Sequence, residues 1–438
     1  MIEGRGMKAA FHTLGCKVNF YETRAVIEDF QALGFEITDF TRQADVYVVN
    51  TCSVTGTAEH KSRQMIHRAR RKNPKAVIVA CGCYVQRDGK SVSGGTGADL
   101  VFGNNKKSLI AAEVLKFIEE KRTEVSVEVE DLTDCRRYEN QRISSMGKNI
   151  RAYVKIQDGC DRFCSYCIIP YVRGRSRCRS FKDVLAEVST LAKNSYKEVV
   201  LTGIDISMYE DLIGLIEMIN AVEGIERIRL GSLEVSLVTE EFVKRLAACE
   251  KACAHFHLSL QSGCDATLKR MNRRYNLEEY RKAADLLRNV FRNCAITTDI
   301  IVGFPGETEE EFAQTVDFVR EMAFARIHVF KYSEREGTAA ARMKNKVPER
   351  IKGKRSARLI SLAEDIKRDW EGALIGGCVT VLTEEQTDLE GRKIFKGYTP
   401  EYVKVAFTGS ACINETVVVK VTSRTVLKGE QILFGERL

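Results

Sequence analysis

Three cysteines in the stretch GCDRFCSYC offer the clearest chemistry in this sequence. They are Cys160, Cys164 and Cys167, in the spacing C-x3-C-x2-C, and no fourth cysteine follows at a matching interval. A structural zinc site usually collects four ligands in two pairs, so this spacing is too tight for one. Three thiolates on a compact loop can instead hold three irons of a [4Fe–4S] cube and leave the fourth iron free to bind another ligand. A zinc site or a purely structural cluster is the alternative.

A second set of three cysteines is spread over the first hundred residues. Cys16, Cys52 and Cys83 occur in TLGCKVNFYET, VVNTCSVTGTAEHKSR and ACGCYVQ, each at the end of a predicted strand. The carboxyl ends of parallel strands lie along one edge of a sheet, where ligand sites form, so the three thiols can converge there. Cysteines at strand ends are also common as small core residues, and position alone does not separate ligation from packing.

Residues 7–120 are predicted to form the α/β domain that positions this second set. KAAFHTLG, DVYVVNT and AVIVACG are short, apolar and β-branched, as expected of buried strands. YETRAVIEDFQALG and AEHKSRQMIHRARRKNP lie between strands and have helical periodicity. This alternation predicts a parallel sheet covered by helices. Residues 121–148 are charged and lack a clear period, so we assign them to a linker, in which TEVSVEVEDL allows a hairpin.

A strand–helix unit repeats through residues 149–371 and must position the first set. The predicted strands are RAYVKIQ, EVVLTG, RIRLGSL, HFHLSL, AITTDIIVGF and ARIHVF. Six such units favour a partial (β/α) barrel, in which the chemistry lies at the carboxyl ends of the strands. Residues 372–438 alternate between strands and turns without a helix signal, which predicts a small all-β barrel. The expected fold class is therefore α/β, with an amino-terminal parallel domain, a partial barrel and a carboxy-terminal β barrel.

The composition agrees with a large intracellular protein. The chain has 438 residues, 44% of them hydrophobic, a net charge of +8 and 15 cysteines. That length suggests about three domains, and the charge hints at a polyanionic partner. Without a signal peptide, or any apolar run near the roughly 18 residues of a membrane span, we expect a cytoplasmic protein whose cysteines bind metal rather than form disulfides. Residues 1–6, MIEGRG, contain a protease recognition sequence common in expression vectors, so we expect the natural chain to begin at Met7.

The cysteine loop after the first strand of a partial barrel resembles the radical S-adenosylmethionine (SAM) superfamily, in which SAM binds the open iron. The three amino-terminal cysteine segments, the stretch GCDRFCSYCIIPYVRGRSR and a final module similar to TRAM domains resemble the methylthiotransferase family over nearly the whole chain from Met7. The resemblance implies two [4Fe–4S] clusters and the use of two SAM molecules. The implied cluster ligands are Cys16, Cys52 and Cys83 in the first domain, and Cys160, Cys164 and Cys167 in the barrel.

Short motifs indicate a branch of that family. GCKVN, NTCSVTGTAEHKSR and HVFKYSEREGTAAARM resemble the branch that converts N6-threonylcarbamoyladenosine of tRNA (t6A37) to its 2-methylthio derivative. The alternatives are the isopentenyladenosine branch, which tends to read GCQMN, and the branch that modifies a ribosomal-protein aspartate, which tends to read GCPKN. A non-catalytic RNA-binding protein is a further alternative. The chain departs from the threonylcarbamoyl pattern at Lys331 and Ala339, where proline is usual, and at Asp205, where histidine or asparagine is usual.

Five residues at strand ends are candidates for binding SAM. Thr202 and Gly203 close the second barrel strand, where backbone groups usually meet the methionyl part of SAM. Glu234, Gln261 and Asp299 lie at the ends of the third, fourth and fifth strands. The alternative for each polar side chain is a hydrogen bond to the backbone at the end of the barrel.

Several basic runs fit an RNA partner. Residues 60–75 carry seven lysines or arginines and no acid, and residues 268–274 and 350–358 are also basic. Four arginines alternate just after the barrel cysteines: Arg173, Arg175, Arg177 and Arg179. Such residues contact phosphates, although a solvated face is the alternative for any single run. The resemblance further implies binding to the anticodon arm of a tRNA with threonylcarbamoyl on adenosine 37, a low-potential electron donor such as flavodoxin or ferredoxin, and a monomer.

Overall fold

The amino-terminal domain is a six-stranded parallel sheet with helices on both faces. The computed structural model describes residues 4–389 and 391–438. The strands, in the spatial order β2-β1-β3-β4-β5-β6, are β1 (Lys8–Thr13), β2 (Glu36–Thr38), β3 (Val46–Thr51), β4 (Val77–Gly82), β5 (Leu100–Phe102) and β6 (Ser126–Glu128). The helices are α1 (Lys17–Ala32), α2 (Gly56–Lys72), α3 (Cys83–Gly95) and α4 (Ile110–Glu119).

The central strands of this sheet are apolar because both of their faces are covered. Every residue of β3 and β4 is buried, and the side chains divide between two apolar cores, one on each face. Such continuous apolar runs are typical of parallel sheets between helix layers. The sequence allows a hairpin within residues 121–148, but the structure instead places β6 parallel to β5 at the edge of the sheet.

The middle of the chain forms an open barrel of parallel strands. These strands are β7 (Arg151–Lys155), β10 (Glu198–Thr202), β11 (Arg227–Leu230), β12 (Ser232–Leu233), β13 (His255–Leu258), β14 (Ala295–Val302) and β15 (Arg326–Lys331), and a short antiparallel pair, β8 (Gln157–Asp158) and β9 (Arg177–Cys178), follows β7. They divide into the ladders β11-β10-β7 and β12-β13-β14-β15. The predicted strand RIRLGSL is interrupted at Gly231, where an added Cβ would lie 2.9 Å from the carbonyl oxygen of Leu201.

Helices surround this barrel on the outside. They are α5 (Ile169–Arg173), α6 (Phe181–Lys193), α7 (Leu212–Asn220), α8 (Glu240–Ala247), α9 (Asp265–Arg270), α10 (Leu277–Val290), α11 (Glu309–Met322) and α12 (Glu349–Gly372). Two of them begin at capping boxes, in which Asn276 pairs with Glu279 and Thr308 pairs with Glu311. Such boxes satisfy free N–H groups at the helix start. Of the helices in the described ranges, none is both long and apolar enough to cross a membrane.

The carboxy-terminal strands close into a small barrel. The predicted fold class is therefore confirmed: an amino-terminal parallel α/β domain, a partial (β/α) barrel and a carboxy-terminal β barrel. The strands are β16 (Cys378–Leu389), β17 (Arg392–Tyr398), β18 (Lys404–Thr408), β19 (Thr416–Leu427) and β20 (Glu430–Arg437), in the order β16-β17-β18-β20-β19. This barrel packs against the starting ends of the (β/α) strands. Arg227 donates to the carbonyl of Tyr398 at 2.7 Å, and Arg229 donates to that of Pro400 at 2.7 Å.

A buried ion network joins the amino-terminal domain to the (β/α) barrel. Glu22 on α1 accepts hydrogen bonds from Lys155 at 2.6 Å and Arg173 at 2.9 Å, and it also pairs with Lys107. Asp158 binds Arg173 at 3.0 Å and Lys155 at 2.7 Å. Burial disfavours the charge of Glu22, but Arg173 and the two lysines outweigh it and hold the pKa of this carboxyl well below its ordinary value. Each charge of the network is therefore paired in place of the water it has lost.

We expect Glu22→Ala to destabilise the protein by about 3–5 kcal/mol, because it leaves buried cations without a partner. Urea unfolding at neutral pH measures the effect. The matched control is Glu278→Ala, which breaks an exposed ion pair with Lys282 and should change stability by less than about 1 kcal/mol. Since the pKa of Glu22 is depressed, its contribution is present above the carboxyl's ordinary pKa and is lost as the pH falls below it, so acid should narrow the difference between the variant and the wild type. Equal effects of the two substitutions at neutral pH would contradict a buried network.

Candidate active site

The barrel cysteines lie on a tight loop between β8 and α5. Cys160 and Cys164 are buried and Cys167 is half-buried. The loop is closed by backbone hydrogen bonds from Cys160 to Gly174 (3.1 Å) and from Cys167 to Cys164 (3.0 Å). Burial raises the pKa of Cys160 and of Cys167 to about 12. Metal binding must therefore displace protons from these thiols, and three inward thiols on one short loop fit an iron–sulfur cube.

A buried arginine faces this loop and is held there by a carboxylate. Arg273 donates from one guanidinium nitrogen to the sulfur of Cys164 at 3.3 Å and from the other to Glu234 at 2.6 Å. Glu234, predicted to contact SAM, therefore has a protein partner in this structure, and Arg162 lies 3.9 Å from its second oxygen. The expectation that the basic residues 268–274 contact RNA is wrong for Arg273, whose buried side chain beside the cysteine loop makes it a positioning residue for Cys164.

The amino-terminal cysteines meet at the carboxyl edge of the first sheet. Cys16 precedes α1, Cys52 follows β3, and Cys83 begins α3 directly after β4. An added Cβ at Gly15 would lie 3.1 Å from the sulfur of Cys52. Burial raises the pKa of Cys52 to about 12, and the neighbouring Cys83 and Cys16 thiols contribute to that rise. The structure therefore brings the three separated thiols together, while their role as cluster ligands stays a prediction.

Both a cation, Arg173, and a carboxylate, Glu22, act on the thiol of Cys16. Burial raises the pKa of Cys16, and the Arg173 guanidinium opposes that rise. Asn104 also points its amide at the sulfur of Cys83, at 3.6 Å. Among the described residues, no three histidine, cysteine or acidic side chains are arranged to hold a single metal ion. A cube requires a different arrangement, because each thiolate binds its own iron. Two buried thiols, Cys52 and Cys83, and the exposed Cys16 beside a cation fit that requirement.

Residues that follow the barrel cysteine loop pack against one of the amino-terminal cysteines across the domain interface. Ile168, which directly follows Cys167, packs with Val172 against Cys83. Asn104 donates to the carbonyl oxygen of Val172 at 2.9 Å and so fixes α5 against the amino-terminal domain. Anything bound to one set of thiols is therefore separated from the other set by a short apolar contact.

Two cavities connect these sets with the strand ends. A cavity of ≈ 480 Å³ inside the barrel is lined by Cys16, Thr202, Gly203 and Asp299, among others. A cavity of ≈ 220 Å³ at the barrel mouth is lined by Cys167, Gln261 and again Asp299. Four of the five residues predicted to bind SAM thus face cavities beside the cysteines.

The backbone explains how those four residues are positioned. Gln261 has a left-handed φ of 70° and bridges to the next strand, donating from its amide to the carbonyl oxygen of Asp299 at 2.8 Å. Thr202 accepts from the amide of Ile156 at 2.9 Å. At Gly203, an added Cβ would lie 2.9 Å from the side-chain oxygen of Gln157, so no larger residue fits there without movement.

The prediction that the alternating arginines contact RNA is wrong for three of the four. Arg173, Arg177 and Arg179 are buried in the described structure. Arg177 lies 3.5 Å from Asp158, and Arg179 lies 2.7 Å from Glu187. Their carboxylate partners come from elements distant in sequence, so spacing alone did not reveal the pairing.

Comparisons with known proteins agree with this architecture. The Radical SAM superfamily profile matches residues 154–319, and the profile described as Uncharacterized protein family UPF0004 matches residues 8–103. A solved structure of the radical S-adenosylmethionine methyltransferase TsrM from Kitasatospora setae, with cobalamin and [4Fe-4S] cluster bound, has a TM-score of 0.57 at 16% identity and covers 76% of this chain and 77% of that one. The fold and the cysteine loop therefore define a radical SAM protein.

Sequence relatives narrow this class. A threonylcarbamoyladenosine tRNA methylthiotransferase from Bacillus subtilis (strain 168) is 40% identical, over 96% of this chain and 93% of the relative. The protein of the same name from Aquifex aeolicus (strain VF5) is 39% identical, over 83% and 89%. A tRNA-2-methylthio-N(6)-dimethylallyladenosine synthase from Alkaliphilus oremlandii (strain OhILAs) is 33% identical, over 98% and 93%. The chain belongs to the radical SAM methylthiotransferase family.

Gly82 positions Cys83, and we expect Gly82→Ala to displace it. The φ of Gly82, 97°, is one that residues with a side chain rarely adopt. An added Cβ would also lie 2.4 Å from the side-chain oxygen of Asn50 and 2.6 Å from the carbonyl oxygen of Thr51. Iron analysis of anaerobically reconstituted protein should show a loss of about half the iron, since the barrel loop is untouched.

The matched control for this experiment is Gly376→Ala. Gly376 has a similar φ of 89°, but an added Cβ would meet nothing within 4 Å. It shares the conformational cost without the collision, so its iron content should stay near that of the wild type. If Gly82→Ala retained as much iron as this control, the close approach at Gly82 would not matter for the amino-terminal thiols.

Proposed function

We propose that this protein is a tRNA methylthiotransferase that converts t6A37 to 2-methylthio-t6A37. The observation that carries the proposal is the barrel cavity that runs from the strand ends at Thr202 and Gly203 to Cys16. It connects a radical-SAM barrel with the second set of thiols, as a reaction that uses both sets requires. The names and coverage of the relatives from Bacillus subtilis and Aquifex aeolicus support the choice of substrate.

The chain's own thiols would hold the cofactors of this reaction. Cys160, Cys164 and Cys167 would hold one [4Fe–4S] cluster, and Cys16, Cys52 and Cys83 would hold the second. When bound, the two clusters and two SAM molecules supply the radical that removes the hydrogen from C2 of the adenine and the methylthio group that replaces it. No acid or base could remove that hydrogen unaided, so the side chains bind, orient and exclude water.

Named residues carry out those three tasks. Arg273, fixed by Glu234, directs an N–H group at the sulfur of Cys164, which favours a negatively charged ligand sulfur. Ile168 and Val172 form the apolar contact between the two cysteine sets and keep water out of the space where a radical would meet the sulfur. Thr202, Gly203, Gln261 and Asp299 line these two cavities and would contact SAM there.

The remaining parts of the proposal concern partners and setting. The RNA contact is the anticodon arm, the electron donor is a low-potential protein such as flavodoxin or ferredoxin, and the protein acts as a monomer in the cytoplasm. The isopentenyladenosine branch is the nearest competing function. The 40% and 39% identities to the threonylcarbamoyladenosine enzymes from Bacillus subtilis and Aquifex aeolicus, against 33% to the dimethylallyladenosine synthase from Alkaliphilus oremlandii, support t6A as the substrate.

Replacing one cysteine set at a time tests the proposal. Wild-type protein reconstituted anaerobically should hold about eight iron and eight sulfide per chain, the content of two cubes. Changing Cys160, Cys164 and Cys167 to Ala should abolish 5′-deoxyadenosine formation and all modification. Changing Cys16, Cys52 and Cys83 to Ala should leave reductive SAM cleavage measurable and stop methylthiolation of t6A-containing tRNA, because no sulfur can be transferred.

Three results would contradict these roles. A stable zinc content with little iron would exclude the clusters. Methylthio-t6A made by the amino-terminal triple variant would show that those thiols do not hold the sulfur. Methylthiolation of isopentenyladenosine tRNA, but not of t6A tRNA, by the wild type would assign the protein to the competing branch. Mass spectrometry of digested nucleosides distinguishes these products.

The exposed face of α2 is expected to contribute to tRNA binding. Lys61, Arg68 and Arg71 are exposed on this helix, which follows the Cys52 loop. Replacing all three with Gln should weaken tRNA binding and reduce the slope of log K against log salt by about 2–3. The reason is that each phosphate contact that is lost no longer releases its condensed counterion when the tRNA binds. Filter binding at several salt concentrations measures both quantities.

A matched variant separates a local effect from one of net charge. Lys182, Lys193 and Lys244 are exposed on the outer helices of the barrel, and replacing them with Gln removes the same charge. If this control lowered the salt slope as much as the α2 variant does, the α2 face would not be the contact surface. Substitution is preferable to truncating the carboxy-terminal barrel, because truncation would expose the buried Arg229.

A further inference from the structure

The lumen of the (β/α) barrel has a polar wall on three neighbouring strands. Residues that alternate along β13, β14 and β15 face the ≈ 480 Å³ cavity, and they are His255, His257, Thr297, Asp299, Arg326 and His328. The register aligns them in rows, with His257 beside Thr297 and Thr297 beside Arg326, then Asp299 beside His328. Strands that served only to build a core would place apolar side chains at these inward positions.

Hydrogen bonds within this wall orient its side chains, but one of its polar atoms has no hydrogen-bond partner in the described structure. One ring nitrogen of His257 lies 3.1 Å from the hydroxyl of Thr297, and the other lies 3.4 Å from a carboxylate oxygen of Asp299. His255 is buried, and its Nδ1 has no hydrogen-bond partner in the described structure. A buried polar atom without a partner is costly, which indicates that the cavity is built to receive a polar group.

The cavity also contains cations that are not neutralised by a close carboxylate. Deeper in the barrel, Arg229 lies 2.7 Å from Glu198 and Arg151 lies 2.5 Å from Glu384. Within the described ranges, neither Lys17 nor Arg326 has a carboxylate at ion-pairing distance, although both line the cavity. The acidic side chain on the same wall, Asp299, is engaged by His257. Glu371 interacts with Arg326 electrostatically but beyond ion-pairing distance, so both Lys17 and Arg326 can still bind a negatively charged ligand.

The pKa values of the wall histidines also indicate a positive electrostatic field in the cavity. Burial holds the pKa of His255 well below its ordinary value, and the positive charges of Arg229 and Lys17 act in the same direction. Burial also lowers the pKa of His328; Asp299 opposes this, while Arg326, His257 and Lys17 add to it. His328 thus lies within electrostatic reach of both free cations, which places Lys17 and Arg326 around one space.

That space adjoins the proposed reaction centre. Lys17 directly follows Cys16, and Phe20, exposed on the next turn of α1, lines the same cavity. In adenine, C2 and the carbon that carries N6 belong to one six-membered ring, so a base whose C2 approaches the Cys16 region carries its N6 substituent into the adjoining part of the cavity. The threonylcarbamoyl substituent ends in the carboxylate and hydroxyl of threonine, whereas a dimethylallyl substituent is apolar and would leave both cations unpaired.

We infer that Lys17 and Arg326 bind the threonine carboxylate of t6A from two sides of the barrel lumen and thereby determine which N6-modified adenosine is accepted. The inference rests on the proposed function and adds the residues that select its substrate. A site that pairs a charged group disfavours an uncharged analogue, because its cations then lose that partner; Lys17 is half-buried and Arg326 is exposed at the edge of the cavity. The histidines and Thr297 remain to accept and donate hydrogen bonds around the hydroxyl and carbamoyl groups.

Two synthetic anticodon stem–loops test the inference with full-length, anaerobically reconstituted protein. One carries t6A and the other carries the same group with its carboxylate converted to a primary amide, which removes the charge and little else. The wild type should bind the acid more tightly than the amide by about tenfold or more, the range of a charge-assisted contact. Arg326→Gln and Lys17→Met should each lose most of this preference while binding the amide as the wild type does.

Conservative and remote variants complete the comparison. Arg326→Lys keeps the charge and should retain part of the preference. Arg320→Gln removes an exposed arginine on α11, where its partner is Asp317, and should behave as the wild type. The ratio of kcat/KM for the two RNAs, measured on the same variants, should follow the ratio of affinities.

Each contrary outcome has a distinct meaning. If Arg326→Gln and Lys17→Met kept the wild-type preference for the acid, or weakened both RNAs equally, these residues would not read the carboxylate. A wild type that bound both RNAs alike would also overturn the inference, even if it formed methylthio-t6A. Failure of the wild type to modify t6A, with the binding preference intact, would instead overturn the proposed function and leave the carboxylate site standing.

Discussion

The buried network around Glu22 and Arg173 is the constraint on which the rest of this structure depends. Arg173 is fully buried and contacts Glu22, Asp158 and the side-chain oxygen of Asn19. Removing such charges from water is expensive, and only complete pairing compensates for it. Because Glu22 belongs to α1 and Arg173 to α5, the pairing works only when the amino-terminal domain and the barrel adopt one relative position. Apolar packing alone would tolerate sliding, whereas this network does not.

The same network fixes the distance between the two cysteine sets. Cys16 lies at the start of α1, six residues before Glu22, and Cys167 lies six residues before Arg173. Cys16 immediately precedes α1 and Glu22 lies in the second turn of that helix, whereas Cys167 lies two residues before α5 and Arg173 is its last residue. The Arg173 charge also opposes the rise in the pKa of Cys16, so one side chain aligns the domains and favours the thiolate that a cluster requires. The arginine that forms the structural ion pair with Glu22 is thus also a charge that acts on the Cys16 thiol.

Much of this arrangement could be predicted from the sequence, and the failures have a common cause. The cysteine spacing, the strand–helix alternation and the final run of strands each depend on local pattern, and the architecture they predict is confirmed. The exposed roles expected for Arg177, Arg179 and Arg273 are wrong because burial of an arginine depends on a carboxylate supplied by a distant element. Glu234, expected to contact SAM, pairs with Arg273 for the same reason. Local sequence patterns do not reveal such carboxylate partners. The alternation in HFHLSL, with a polar residue at every second position, does indicate that one face of this strand lines a polar cavity.

The carboxy-terminal barrel determines how a substrate can reach that lumen. It covers the starting ends of the strands through Arg227 and Arg229. Tyr402 from the same barrel contacts His255 with its ring tilted by 48°, and it lines the lower end of the cavity. The amino-terminal domain covers the opposite end. The ladder does not pair β7 with β15 in the described structure, and Phe20, Arg326 and His328 are exposed beside that gap. For the proposed function, a nucleotide flipped out of an RNA loop would enter the barrel through this gap, past Arg326 and into the cavity that Cys16 lines.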